Sequence, residues 1–435
     1  MNKSFKGIVI AAAIVITVAA TSACFGERSS APQTGHDDSG GQISVLGWFG
    51  IPVSRSEAVH YQTMKEAGFT HNLPGDYVTD PSRVLADLDH AQTAGIKVFI
   101  VGDALTENAA DTAFVSRFTS HPALAGYKVW DEPFTYDYER LHRQVEKIRS
   151  IDPEHPCYIN LLHSGSAFKG ENKGVDYNAA DITEVYREEY LRKFAGMLPF
   201  ISFDQYPIYT GKDGQRAVSD SLWYRSLEII SGEARKLGKP FWAFALATAH
   251  SVPWCAFPIP SIQDLRLQVY SNLAYGAQCI QYFTYWTPSE EGGGFHDGPI
   301  DWYTGAKNPV YGIVQQMNRE IIALSKVFLR AEVLWTAHAG RSPHALCTPL
   351  SRVKLPDAIR TLDITGSDGA VVSLLKKGED CFLVMVNRDL HRDMTVMIKG
   401  NALKRIEKDG STVVISGDTH TVTPGDVLIY SLNND

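Results

Sequence analysis

Eight short apolar runs, each separated from the next by a helical segment, constrain this chain more than any other feature. They are Ile43–Phe49, Gly68–Leu73, Ile96–Gly102, Leu124–Trp130, Cys157–Leu162, Phe200–Gln205, Phe241–Thr248 and Cys279–Trp286. Strands that alternate with helices pair in parallel through crossover connections, and eight is the number that closes a (β/α)8 barrel. The helices carry start and stop signals. Asp80-Pro81 opens one, Val84, Leu85, Leu88 and Ala91 line its apolar face, and Gly95 ends it just before a strand. Another runs from Ser261 through Leu265, Val269 and Leu273 to Gly276. A doubly wound open sheet is the rival architecture. It is disfavoured because no Gly-rich phosphate loop follows any strand.

A helix with apolar Val310, Ile313, Met317, Ile321 and Leu324 leads into a different texture. From about Ala331 the chain is dense in strands, at Ala370–Lys376, Cys381–Asn387, Met394–Ile398, Thr412–Ile415 and Val427–Leu432. The expectation is therefore an α/β chain, with a TIM barrel over residues 43–328 and a C-terminal antiparallel β-sandwich over residues 329–435. The 435 residues are 44% hydrophobic, which is ample for both cores. The net charge of -8 and the absence of Lys/Arg runs exclude a nucleic-acid footprint.

The N-terminus reads as an export signal. Lys3 and Lys6 precede an apolar stretch from Ile8 to Ala20, too short to span a bilayer comfortably. With Thr21-Ser-Ala-Cys24 after it, residues 1–23 resemble a bacterial lipoprotein signal, although Thr21 stands where such signals usually carry Leu. The resemblance implies lipidation of Cys24, a membrane anchor and a cell-envelope location. The polar, Gly/Ser-rich residues 24–42 would be the tether. Cys157 and Cys279 lie in expected strands as small buried groups, and Cys347 and Cys381 are a candidate pair in the C-terminal domain. No Cys/His spacing suggests a metal site, and no cofactor is expected.

Barrel enzymes keep their chemistry at the C-terminal ends of the strands. The run Gly126-Tyr-Lys-Val-Trp-Asp-Glu-Pro133 delivers Asp131 and Glu132 to such an end, in a turn fixed by Pro133. Together with Phe203-Asp-Gln-Tyr-Pro207 on the sixth strand and Tyr282-Phe-Thr-Tyr-Trp286 on the eighth, it resembles the clan of retaining glycoside hydrolases built on this barrel with a C-terminal β-domain. There the fourth strand ends in Asn-Glu-Pro. The resemblance implies that Glu132 is the general acid/base and that Asp131, in the Asn position, holds a sugar hydroxyl. The clan's nucleophilic Glu ends the seventh strand, yet this chain reads Phe241-Trp-Ala-Phe-Ala-Leu-Ala-Thr248-Ala-His250.

A glycosidase needs a second carboxyl, about 5–5.5 Å away if retaining and about 6.5–9.5 Å if inverting. Asp204 is the favoured candidate because strand ends are more rigid than loops. Glu290, Glu291, Asp297 and Asp301 on the excursion after the eighth strand are the others. Trp48, Asn72, Asp103, Asn160, His163, Tyr206, Tyr282 and Trp286, also near strand ends, supply the mix of aromatic faces and polar groups that holds a sugar, with Asp131 and Glu290. The functional expectation is hydrolysis of an oligo- or polysaccharide. The alternatives are a non-catalytic glycan-binding protein on the same barrel and a sugar lyase or isomerase.

Overall fold

The computed structural model describes residues 41–78, 80–106, 111–168, 182–253, 255–289, 294–401, 403–415 and 417–432. Cys24 and the expected signal and tether lie outside them, apart from residues 41 and 42, and so do Glu290 and Glu291. No described helix is long and apolar enough to cross a membrane.

All eight expected strands form one closed parallel barrel, each hydrogen-bonded to its neighbours in chain order. They are β1 (Ser44–Gly50), β2 (His71–Pro74), β3 (Lys97–Ile100), β4 (Leu124–Asp131), β5 (Cys157–Leu161), β6 (Ile201–Phe203), β7 (Phe241–Leu246) and β8 (Cys279–Phe283). Successive side chains on a strand alternate between barrel interior and helix layer. Leu46, Trp48, Leu73, Phe99, Tyr158, Phe244 and Cys279 pack together inside, while Val45, Val98, Ile159, Ala243 and Ile280 join the surrounding core. The helix Pro81–Ala94 has the expected ends: the Asp80 carboxylate accepts from the Ser82 N–H, and Gly95 closes it in the left-handed conformation.

In β4 the alternation is broken. Its pairing with β5 runs Lys128 opposite Tyr158, then Trp130 opposite Ile159 and Asp131 opposite Asn160. Lys128 to Trp130 advances two residues while β5 advances one, which is a β-bulge. Tyr158 and Asn160 are interior positions, so Lys128 and Asp131 both face the barrel axis. Trp130 faces outward, under the Arg140 guanidinium at 4.1 Å.

The C-terminal region forms two antiparallel sheets. The larger contains β9 (Glu332–Gly340), β11 (Gly369–Lys377), β12 (Asp380–Asn387), β14 (Lys404–Ile406), β15 (Thr412–Val414) and β17 (Val427–Ser431), and the smaller β10 (Ile359–Thr365), β13 (Met394–Gly400) and β16 (Thr419–Val422). The strands β9, β10, β14 and β16 have no counterpart in the sequence reading. On β11, Ala370, Val372 and Leu374 pack into the core between the sheets. Val371 and Leu375 pack toward the barrel, and the Ser373 hydroxyl donates to the Ala274 carbonyl at 2.7 Å. A strand covered on both faces reads as an unbroken apolar run.

Cys347 and Cys381 are not paired; both are free, as are Cys157, Cys255 and Cys279. The reason is positional: Cys347 packs with the barrel-side core and Cys381 against the core between the sheets.

Cys347 adjoins a buried polar seam. The Tyr275 hydroxyl donates to Glu228 Oε1 at 2.8 Å and lies 2.8 Å from His338 Nε2. Glu228, His338 and Cys347 are the one group of potential metal ligands among the described residues; the tyrosine already bridges two of them. Burial pushes the Glu228 carboxyl up to about 7, and burial, with the Arg388 charge second, holds His338 down to about 3. A carboxyl raised on folding adds stability that is fully present below its ordinary range and lost as pH rises through about 7. Glu228→Gln removes that loss, so its stability relative to wild type rises between pH 5 and 8, by up to about 3 kcal/mol. Thermal melts of both proteins across that range check the sign.

Candidate active site

The barrel mouth brings together Asp131, Glu132 and Asp204. Asp204 follows β6 in register with interior Ser202, and β5 between them supplies the link. Asn160 Nδ2 donates to Asp204 Oδ1 at 2.8 Å, and its carbonyl oxygen accepts from the Ser202 hydroxyl at 2.8 Å. Ser202 in turn accepts from Gln281 Nε2 at 2.9 Å, and Gln281 Oε1 accepts from the Tyr158 hydroxyl at 2.7 Å. A hydrogen-bonded chain thus runs from the barrel core to Asp204. Buried polar groups joined in this way are held in one arrangement.

Glu132 sits at the rim. Its backbone has φ +50°, a conformation that costs a non-glycine residue about 1–2 kcal/mol. It is held there: its N–H donates to the Asn160 carbonyl at 2.9 Å, and the Tyr190 hydroxyl donates to the Pro133 carbonyl at 2.7 Å. The same hydroxyl accepts from the Leu162 N–H at 2.9 Å, so Tyr190 ties together the ends of β4 and β5. Strained residues persist only where the surroundings over-determine them, as at functional sites.

The electrostatics separate the three acids. Asp204 is raised well above the ordinary carboxyl range, first by burial and then by the charges of Glu132 and Asp131; the Asn160 hydrogen bond opposes this. Asp131 is raised by burial, opposed by Lys128 and by Asn160. Both retain some accessible surface. They lie deep in the mouth, however, with protein on most sides, so desolvation dominates. Glu132 is exposed.

Aromatic rings wall the site. Tyr206 lies 5.5 Å from Phe283 and 6.3 Å from Phe244, and Trp48 lies 5.6 Å and 5.9 Å from the same two rings. The excursions after β6 and β7 build a four-stranded antiparallel sheet beside the mouth, from Ile208–Thr210, Arg216–Val218, His250–Val252 and Cys255–Phe257. From it His250 stacks between Phe257 at 4.5 Å and Phe295 at 4.8 Å. After β7 no carboxylate appears: Leu246 is buried, and the Thr248 hydroxyl bonds that of Thr284 at 2.8 Å.

Several expected site residues lie elsewhere. Asn72 faces outward, accepting from the Ile51 N–H at 2.8 Å and donating to the Tyr61 hydroxyl at 3.0 Å. Tyr282 is buried in the helix layer against Phe69, because Phe283 holds the interior position. Trp286 packs on His60 at 5.0 Å. His163 bonds the Ser166 hydroxyl in its own turn, and Asp103 is exposed on a rim cleft with Arg117. Asp297 pairs with His296, and Asp301 accepts from Thr304. Glu290 lies outside the described residues. Trp48, Asp131, Glu132, Asn160, Asp204 and Tyr206 do converge.

Lys128 and Tyr77, which the sequence reading did not single out, lie beside Trp48 at the mouth. Lys128 is nearly buried, with Nζ 4.7 Å from the Trp48 ring centroid and 3.4 Å from the Tyr77 hydroxyl. A lysine inside an otherwise apolar barrel strand was the available signal. A cavity of about 810 Å³ opens at the opposite end of the barrel, beside Lys97, Trp242 and Arg330. Its size does not make it the active site, since barrel chemistry belongs to the C-terminal ends of the strands.

The family profile described as β-galactosidase of glycoside hydrolase family 42 matches residues 138–324, less than half of the chain and beginning after Glu132. No curated protein matches the sequence. Among solved structures, the β-galactosidase of Bacillus circulans sp. alkalophilus is similar at 10% identity and a TM-score of 0.61, over 90% of this chain and 99% of that one. A catalytic mutant of the G. stearothermophilus β-galactosidase Gan42B follows at 9% identity and 0.59, over 90% and 98%. A family 5 glycoside hydrolase from Bacteroides vulgatus has 13% identity and 0.54, over 89% of each chain. The chain spans 60% of the length of the Marinomonas ef1 β-galactosidase, at 12% identity and 0.45. At these identities the likeness is one of fold: a TIM barrel of the glycoside hydrolase type.

The coupling of the acids gives a test with two opposite signs. Asp131→Asn removes a neighbouring charge and lowers the Asp204 midpoint; Asn160→Ala removes a donor and raises it further. Carboxyl-carbon NMR titration of the two variants checks both directions.

Proposed function

We propose that this chain is a glycoside hydrolase in which Glu132 and Asp204 are the two reacting carboxyl groups. The observation that carries this reading is the placement of half-buried Asp204 within the electrostatic reach of Glu132 at the mouth of the barrel, beside the aromatic wall. Two carboxyls whose environments drive their protonation apart are how one site keeps an acid and a base at the same pH. Burial and the neighbouring charges of Glu132 and Asp131 raise Asp204 well above the ordinary carboxyl range, which favours Asp204 as the group that carries the proton. That reverses the acid role which the strand-four motif implies for Glu132. Asp204 then protonates the departing glycosidic oxygen, while Glu132 attacks the anomeric carbon or activates water. Asp131 and Asn160 hold sugar hydroxyls, and Trp48 and Tyr206 stack on the ring.

Two other readings each have an observation behind them. The apolar end of β7, with Leu246 and Thr248 where the clan keeps its nucleophile, favours a glycan-binding protein without turnover. Lys128 beside Asp131 favours a lyase or isomerase on acidic sugars. The lipid anchor at Cys24 and the cell-envelope location rest on the sequence of residues 1–42. Cys24→Ser should move the protein from the membrane to the soluble fraction.

Product release from a panel of polysaccharides and aryl glycosides tests the main reading. Glu132→Gln should lose activity on every substrate. Asp204→Asn should lose about 10²–10⁴-fold on poor leaving groups and far less on dinitrophenyl glycosides, which leave without protonation. The opposite pattern returns the acid role to Glu132. Products with a new ring double bond indicate a lyase, and binding without release indicates a glycan-binding protein.

A further inference from the structure

We propose that the site takes a glycan whose ring carries an anionic substituent, the carboxylate of a hexuronic acid, and that Lys128 binds it. The inference rests on the carbohydrate reading above and adds the class of sugar.

Lys128 is 6% exposed and turned into the barrel mouth. Its ammonium lies over the Trp48 ring at 4.7 Å and 5.7 Å from the Tyr77 centroid, with one long hydrogen bond, 3.4 Å, to the Tyr77 hydroxyl. No carboxylate among the described residues makes an ion pair with it; Asp131 acts on it only through space. An ammonium with three donors, removed from water and left with one weak acceptor, is strongly unfavourable unless something else pairs with it. Ring faces attract a cation but satisfy no N–H donor directionally.

Two further atoms in the same place lack partners. The Trp48 indole N–H is buried with no acceptor, and Asp131 Oδ1 is buried with no donor. The set therefore calls for a ligand that offers an anionic acceptor to Lys128 and a hydroxyl donor to Asp131. A hexuronic acid has both on one ring. The charges are arranged to admit it: Lys128 reaches toward β1 and the segment after β2, where Trp48 and Tyr77 stand, whereas Asp204 lies across the mouth beyond β5. A neutral hexose offers Lys128 only hydroxyl groups, which hydrogen-bond an ammonium more weakly than a carboxylate does.

Isothermal titration calorimetry with matched sugar pairs tests this without depending on turnover. The pairs are galacturonic acid with galactose and glucuronic acid with glucose, joined by galactose 6-sulfate. The wild-type protein should bind the acid of at least one pair about tenfold or more tighter than its neutral partner, with an advantage that shrinks as salt is added. Lys128→Met should abolish the advantage and Lys128→Arg should keep most of it. A sulfate ester that binds more tightly than the uronates supports the anionic site and changes its natural ligand. Equal binding of acid and neutral sugar by wild type overturns the proposal and leaves the carbohydrate reading intact. If no sugar or polysaccharide binds, both fall.

Discussion

The candidate site depends on a single extra residue in β4. Without the bulge between Lys128 and Trp130, strict alternation would turn Lys128, Trp130 and Glu132 inward and Asp131 outward. With it, Lys128 and Asp131 share the interior, Trp130 leaves for the helix layer, and Glu132 falls on the turn at the rim. An ammonium and a carboxylate three residues apart could not both face the axis of a regular strand. Bulges next to active sites re-aim side chains in this way, and here the re-aimed group is Asp131, whose charge helps raise Asp204.

The shift of Asp204 results from competing influences. Burial and two neighbouring charges raise Asp204, while Asn160 donates to the charged form and lowers it. Asn160 is placed by β5, whose next residues carry the backbone that receives Tyr190, so one strand positions a donor to Asp204, an acceptor for the Glu132 N–H and an anchor for Pro133. The rim geometry and the electrostatic surroundings of Asp204 thus depend on the same element. The interior chain through Ser202, Gln281 and Tyr158 extends that network into the core, where the side chains are closely packed.

The barrel was legible because its periodic signals repeat eight times, and one misplaced boundary changes nothing in the pattern. The β-sandwich was half legible. Strands such as β11, covered on both faces, carry long apolar runs, whereas β10 and β16 in the smaller sheet alternate with exposed polar residues and read as loop. Asp204 and Asn160 fall at the mouth where regular alternation on their strands places them. Asn72 and Tyr282 turn away from the mouth for one reason: being near a strand end says nothing about which face a residue occupies, and the neighbours Leu73 and Phe283 hold the interior positions; Trp286, beyond the strand, packs on His60. Lys128 is marked in the sequence only as a lysine in an otherwise apolar strand, and the bulge that puts it on the same face as Asp131 leaves no mark in composition.

The apolar end of β7 follows from the same geometry. The C-terminal ends of all eight strands converge on one axis, so a carboxyl on β6 reaches the center of the mouth as well as one on β7 does. What changes is its relation to Glu132. From β7 the two acids would face each other across two intervening strands. From β6 only β5 lies between, and Asn160 on that strand bonds to both residues, the side chain of one and the backbone of the other. The vacated sector is filled by Phe244, Leu246 and the aromatic stack of His250, Phe257 and Phe295. Fold and chemistry are therefore separable in this barrel: the strands determine where a group can point, and the choice of which ends carry carboxyls, an ammonium or aromatic rings determines what the mouth can bind and react with.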